Sequence, residues 1–306
     1  MKRGFSLIEV VIVVFIAAAF VLLFAGLLSR SREMGRTMSC VNNMKQIAQA
    51  IENYQSDWKD TPFSLTALSP TYIPNQKTFQ CPLDRSGGNS YENFYVNRPL
   101  YEEESQKILL ACPRHFGYTR TVAAYLSYAV DVGSNQKVTA SGLPVSPAKF
   151  GQETYSGELK FADGTVASVS SGKAGILASF TDNHGRIYSI IFIPEGQAGE
   201  KTKVEVTHEG NSQFEVITPS VIAGVAGTRF SVATSWTEEL TKTVVQVFEK
   251  KVKGVLRATG KLFTLEQGKS LVEETARWED EGTSTTPDRD RRRRVPRKPP
   301  KPKHFY

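Results

Sequence analysis

Apolar positions first run together and then fall into a helical repeat. From Phe5 to Leu28 the chain has 24 almost wholly apolar residues, with Glu9 as the one carboxylate. That length suffices to cross a bilayer. Met38, Val41, Met44, Ile47, Ala48, Ile51 and Tyr54 then recur every third or fourth residue, with Asn42, Asn43, Lys45, Gln46, Gln49, Glu52 and Asn53 between them. The pattern predicts one helix from about Phe5 to Gln55, its second half amphipathic. From Thr61 to about Phe116 the periodicity lapses into loops and short strands. From about Leu159 the period becomes two, as in Lys203-Val204-Glu205-Val206-Thr207 and Thr243-Val244-Val245-Gln246-Val247. Turn signals such as Asp163-Gly164, Asn183-His184-Gly185 and Gln267-Gly268 separate eight or more short strands, which predicts an all-β sandwich, roll or solenoid.

Charge alters this picture only at the end of the chain. The net charge of +7 is accounted for by Thr283–Tyr306, which holds nine Lys and Arg against two Asp. Arg291, Arg292, Arg293, Arg294, Arg297 and Lys298 lie among prolines, a composition expected to stay extended. Such a tail reads either as a solvated end or as an adhesive for an anionic envelope polymer or DNA.

The start of the chain, Lys2-Arg3-Gly4-Phe5-Ser6-Leu7-Ile8-Glu9, resembles the leader of type IV pilins and type II secretion pseudopilins. The resemblance implies cleavage after Gly4 by a prepilin peptidase, N-methylation of Phe5 and an assembly role for Glu9, paired with the amine of a neighbouring subunit. A secretory signal peptide fits less well, because its apolar core is about 7–15 residues and its cleavage site follows that core. The segment Ser39-Cys40-Val41-Asn42-Asn43-Met44-Lys45-Gln46-Ile47 is similar to a signature of G-type pseudopilins. So are Cys81-Pro82-Leu83-Asp84 and Cys112-Pro113-Arg114-His115. In that family, however, the second motif is soon followed by an F-A-D-G turn. Here Phe161-Ala162-Asp163-Gly164 comes more than forty residues later.

For an exported protein of this kind the natural disulfide is Cys81 with Cys112, closing a loop of about 30 residues and contributing roughly 3 kcal/mol. Cys40 is then left as a small apolar residue. Cys81, Cys112 and His115 could also be three metal ligands, although their spacing matches no zinc pattern. No metal or other cofactor is expected.

Residues Val216–Val232 resemble the FecR-type periplasmic domain through Thr218, Pro219, Gly227, Thr228, Phe230 and Val232. Gly227 would permit a tight turn, Thr228 a side-chain bond to the backbone, and Phe230 and Val232 would face the core. Catalysis has little support: His115, His184 and His208 are scattered, and no nucleophile-elbow, zincin or phosphate-loop pattern occurs.

The expected fold is α+β: a long N-terminal transmembrane and amphipathic pilin helix, a small α/β pseudopilin head, an all-β FecR-like domain and a disordered basic tail. The expected boundaries are 1–4, 5–28, 29–158, 159–280 and 281–306. The expected function is a pseudopilin or pilin-like subunit with one span in the inner membrane, partnered by other pilin subunits and displaying its β domain outside. The alternative is an envelope signalling or polyanion-binding protein of FecR type.

Overall fold

The computed structural model describes residues 7–98, 106–210, 212–225 and 227–277, apart from the side chains of 23–27. Helix α1 spans Leu7–Trp58, 52 residues. Leu7–Leu22 is exposed throughout. Further along, Thr37, Cys40, Val41, Met44, Ile47, Ala48 and Ile51 are buried. Their three- and four-residue spacing sets them on one face.

The reading of the first part as a membrane-spanning pilin helix is corrected. Among the described residues no helix is long and apolar enough to cross a membrane. The single-pass inner-membrane placement, which rested on that span, falls with it.

The expectation that the head preceding the β domain is α/β is corrected too. The described residues are mostly β, and their strands join in one sixteen-stranded sheet. An antiparallel meander, β1 (Ile108–His115), β2 (Arg120–Tyr125) and β3 (Val130–Asn135), receives the buried face of α1. A small hairpin follows, β4 (Val138–Ala140) and β5 (Leu143–Val145). The remaining strands are β6 (Thr154–Phe161), β7 (Val166–Thr181), β8 (Ile187–Phe192), β9 (Lys201–His208), β10 (Gln213–Ile217), β11 (Val221–Val225), β12 (Thr228–Trp236), β13 (Leu240–Val247), β14 (Lys251–Leu256), β15 (Leu262–Glu266) and β16 (Ser270–Ala276). Their main order is β15-β14-β11-β10-β8-β7-β9-β12-β13-β16, with β3 and β6 also paired to β7.

β7 makes the sheet continuous. Its first half pairs with β9 and its second half with β8 and β3, while β6 follows it from Val166 to Gly175. The change of partners coincides with Gly172, whose φ is +67° and where a Cβ would overlap the Thr202 hydroxyl. Glycine therefore permits both the bend and the close approach there. Polar–apolar alternation in β9 and β13 appears as alternating exposure and burial, the mark of strands with one covered face. β11 is buried along its whole length, as expected of a strand covered on both faces.

Candidate functional site

Two buried polar clusters stand out, one beneath α1 and one under the FecR-like hairpin. In the first, Cys40 comes from the covered face of α1, Cys81 from the loop after a short 3-10 turn, and Cys112 and His115 from β1. All four are buried, and their ligand atoms lie within 4.8 Å of one another. His115 Nε2 is 3.7 Å from Cys81 Sγ and 3.9 Å from Cys112 Sγ. The other ring nitrogen, Nδ1, lies 3.1 Å from the Thr37 hydroxyl, which itself donates to the Glu33 carbonyl. Thr37 thus accepts from Nδ1–H, leaving the Nε2 lone pair aimed at the sulfurs.

Each sulfur also has a hydrogen-bond donor. Tyr91 Oη donates to Cys40 Sγ at 3.2 Å, and the backbone N–H groups of Leu83 and Arg114 serve Cys81 and Cys112. In each Cys-Pro-x arm the proline lacks an N–H, so the amide two residues beyond the cysteine is the nearest forward donor. The two arms are clasped together: Arg114 pairs with Asp84 at 3.5 Å and stacks over Phe94. Burial pushes the Cys40 thiol up, and it raises the Cys112 thiol to about 12. Donation from Cys112 and Cys40 draws the Cys81 thiol well down.

The second cluster joins the two halves of the chain. Glu215 on β10 is bound by Arg98 at 2.5 Å and by Lys107 at 3.0 Å. Burial alone would raise the Glu215 carboxyl, but Arg98 and then Lys107 outweigh it and hold it near 2. Beside them Arg257 donates to the carbonyls of Asn97 and Thr218, adding a second tie between distant stretches of sequence.

The FecR-like residues build the hairpins around this cluster. Thr218 Oγ1 accepts from Val221 N–H and donates to the Val221 carbonyl, both at 2.9 Å. This closes the Thr218-Pro219-Ser220-Val221 turn between β10 and β11. Buried hydroxyls of Ser220, Thr234 and Thr243 continue the network. Gly227 has φ +65° before β12. Thr228 Oγ1 donates to the Glu249 carbonyl, and Phe230 and Val232 are fully buried. These roles are structural, and they fix the register of β10 to β12.

The other sequence-derived candidates are dispersed. Glu9 is exposed in the first turn of α1. Gly4, Phe5, Arg291, Arg292, Arg293, Arg294, Arg297 and Lys298 lie outside the described residues. Cys81 and Cys112 are free thiols, not a disulfide. His184 is exposed in a turn, whereas buried His208 bridges Thr165 and the Ser212 carbonyl. Sequence reasoning missed the role of Cys40 and the pairing of Arg98 with Glu215. The signal for Cys40 was its place on the apolar stripe of α1, in register with Val41 and Met44. For Arg98 no local signal existed.

Comparison with known proteins agrees with a two-part chain. Residues 29–156 match the family described as protein of unknown function (DUF1559), and residues 153–253 match the family described as FecR protein. No curated protein is matched. Among solved structures, a chain provisionally assigned as an anti-sigma factor from Parabacteroides distasonis ATCC 8503 is similar at 19% identity and a TM-score of 0.31. The alignment covers 41% of this chain and 59% of that one. A second structure with the same assignment gives 18%, a TM-score of 0.28, and coverage of 41% and 55%. The chain thus spans less than two thirds of either, and at these scores the likeness carries no argument. The FecR-like part of the sequence reading stands on the family match. The pseudopilin, prepilin-processing and type II secretion readings are not shown by these matches, and among the described residues no helix is long and apolar enough to supply their membrane anchor.

Proposed function

We propose that the chain is a non-catalytic envelope signalling protein of FecR type, acting through one mechanically coupled body. The FecR match over residues 153–253 carries this reading. Supporting it, that stretch shares a sheet and the buried Arg98–Glu215 pair with the preceding segment. A perturbation at the surface of β12, β13 or β16 would then reach α1 through packed structure rather than across a free linker. FecR-type domains pass the state of an outer partner to a transcriptional output, and the same role is proposed here, with signalling proteins as partners.

The test is transcriptional. In a host carrying the natural gene, deletion should abolish an inducible, sigma-factor-dependent response, and wild-type complementation should restore it. A full-length Glu215→Gln chain that still accumulates should restore it only in part. An unchanged transcriptome across inducing conditions would overturn the proposal.

A further inference from the structure

We infer that Cys40, Cys81, Cys112 and His115 form a closed tetrahedral zinc site that staples α1 to the sheet. Zinc binds thiolate at about 2.3 Å and imidazole nitrogen at about 2.0–2.1 Å. Tetrahedral geometry then sets sulfur–nitrogen edges of roughly 3.6 Å and sulfur–sulfur edges of roughly 3.8 Å. The separations of 3.7 and 3.9 Å from His115 Nε2 to Cys81 and Cys112 fall close to the former. The 4.8 Å limit on all pairs leaves room for one ion at the centre and little else.

The surroundings are those of a metal site. The His115 tautomer is fixed by Thr37 with Nε2 free to ligate, and outer partners of this kind orient metal-bound histidines. Tyr91 and the two Cys-Pro-x amides direct donors at the three sulfurs, as thiolate ligands require. Soft thiolate donors favour zinc over calcium or magnesium, which take oxygen ligands. Four protein ligands and full burial leave no open position, so the ion is structural rather than catalytic. A Cys81–Cys112 disulfide would use two of the four groups and leave a buried thiol and a buried imidazole facing it.

The site explains why the ligands escape a sequence motif: one helix, one loop and one strand each contribute. Its consequence is a covalent-like tie across the helix–sheet interface, adjoining the ion pair between Asp84 on the loop and Arg114 on β1. This inference is independent of the signalling proposal, since metal content can be read with no knowledge of partners.

The full chain, purified without chelator, should contain about one zinc per molecule by inductively coupled plasma mass spectrometry. Cobalt replacement should give the intense sulfur-to-metal charge-transfer and ligand-field bands of a tetrahedral thiolate site. Cys112→Ser should lose the metal. His115→Cys should keep it, as a four-cysteine site, with shifted cobalt bands. Tyr91→Phe should keep the stoichiometry while lowering zinc affinity about tenfold. Should Cys112→Ser be recovered only as aggregate, the unaltered chain and His115→Cys still decide the matter. Metal-free protein with three titratable thiols, a Cys81–Cys112 disulfide in peptide mapping, or another metal in place of zinc would overturn the inference.

Discussion

Replacing Glu215 by Gln tests the buried ion cluster that links the two matched segments. Glu215 is 4% exposed and Arg98 fully buried, so solvent screens little of their interaction. The substitution keeps the shape of the side chain and removes its charge, leaving the Arg98 guanidinium buried without its carboxylate. Breaking such a pair from one side costs about 3–5 kcal/mol. Linkage gives a second estimate. A carboxyl held near 2 instead of its ordinary 4.5 represents about 3 kcal/mol, at roughly 1.4 kcal/mol for each tenfold change in proton affinity. Because the folded-state value is depressed, this stabilisation is fully present above about pH 4.5 and is lost as pH falls towards 2. Urea denaturation followed by far-ultraviolet circular dichroism, at pH 7 and again near pH 3, measures both quantities. Glu215→Gln should be destabilised by about 3–5 kcal/mol at pH 7 and should show a correspondingly flatter loss of stability on acidification. A variant within about 1 kcal/mol of the parent at pH 7, or one with the parent's acid dependence, would refute the reasoning.

Other substitutions probe the FecR-like hairpins and the tail. Gly227→Ala places a Cβ 3.2 Å from Lys250 Nζ, the end of a flexible side chain. The cost is therefore mainly the left-handed backbone, about 1–2 kcal/mol, measurable in the same urea titration, and Gly227→Asn should cost less. Phe230→Ala empties a fully buried position and should cost about 3–5 kcal/mol, seen as a lower urea midpoint at an unchanged slope. Deleting Asp288–Tyr306, outside the described residues, should leave the melting temperature unaltered while weakening retention on anionic polymer or DNA. The lost binding should be the salt-sensitive part, because phosphate contacts release counterions. Equal retention of parent and truncated chains at low salt would mark the tail as a solvated end.

The strands were legible because their period of two follows from one-sided burial, as Lys203–Thr207 in β9 and Thr243–Val247 in β13 show. The amphipathic stripe from Met38 to Tyr54 likewise marks the face of α1 that meets the sheet, although Met38 itself is exposed. What local pattern hides is long-range pairing. β7 serves four partner strands because Gly172 bends it, and no periodicity reports that. Glu215 alternates with Phe214 and Val216 and would be read as solvent-facing. It is buried because Arg98 and Lys107, from a stretch read as loops, supply its counter-charge. The cysteines were read as a disulfide because chain spacing alone cannot show that Cys40 on the helix faces Cys81 and Cys112. The apolar start illustrates the opposite error, since hydropathy over 24 residues suggested a membrane span that the described helix does not provide.

The central claim is that the two matched segments form one cooperative body rather than two beads on a string. Differential scanning calorimetry of the full chain tests it most directly. The account predicts a single unfolding transition whose calorimetric and van't Hoff enthalpies agree, shifted down as a whole by Glu215→Gln. Two separable transitions, only one of them moved by that substitution, would contradict it.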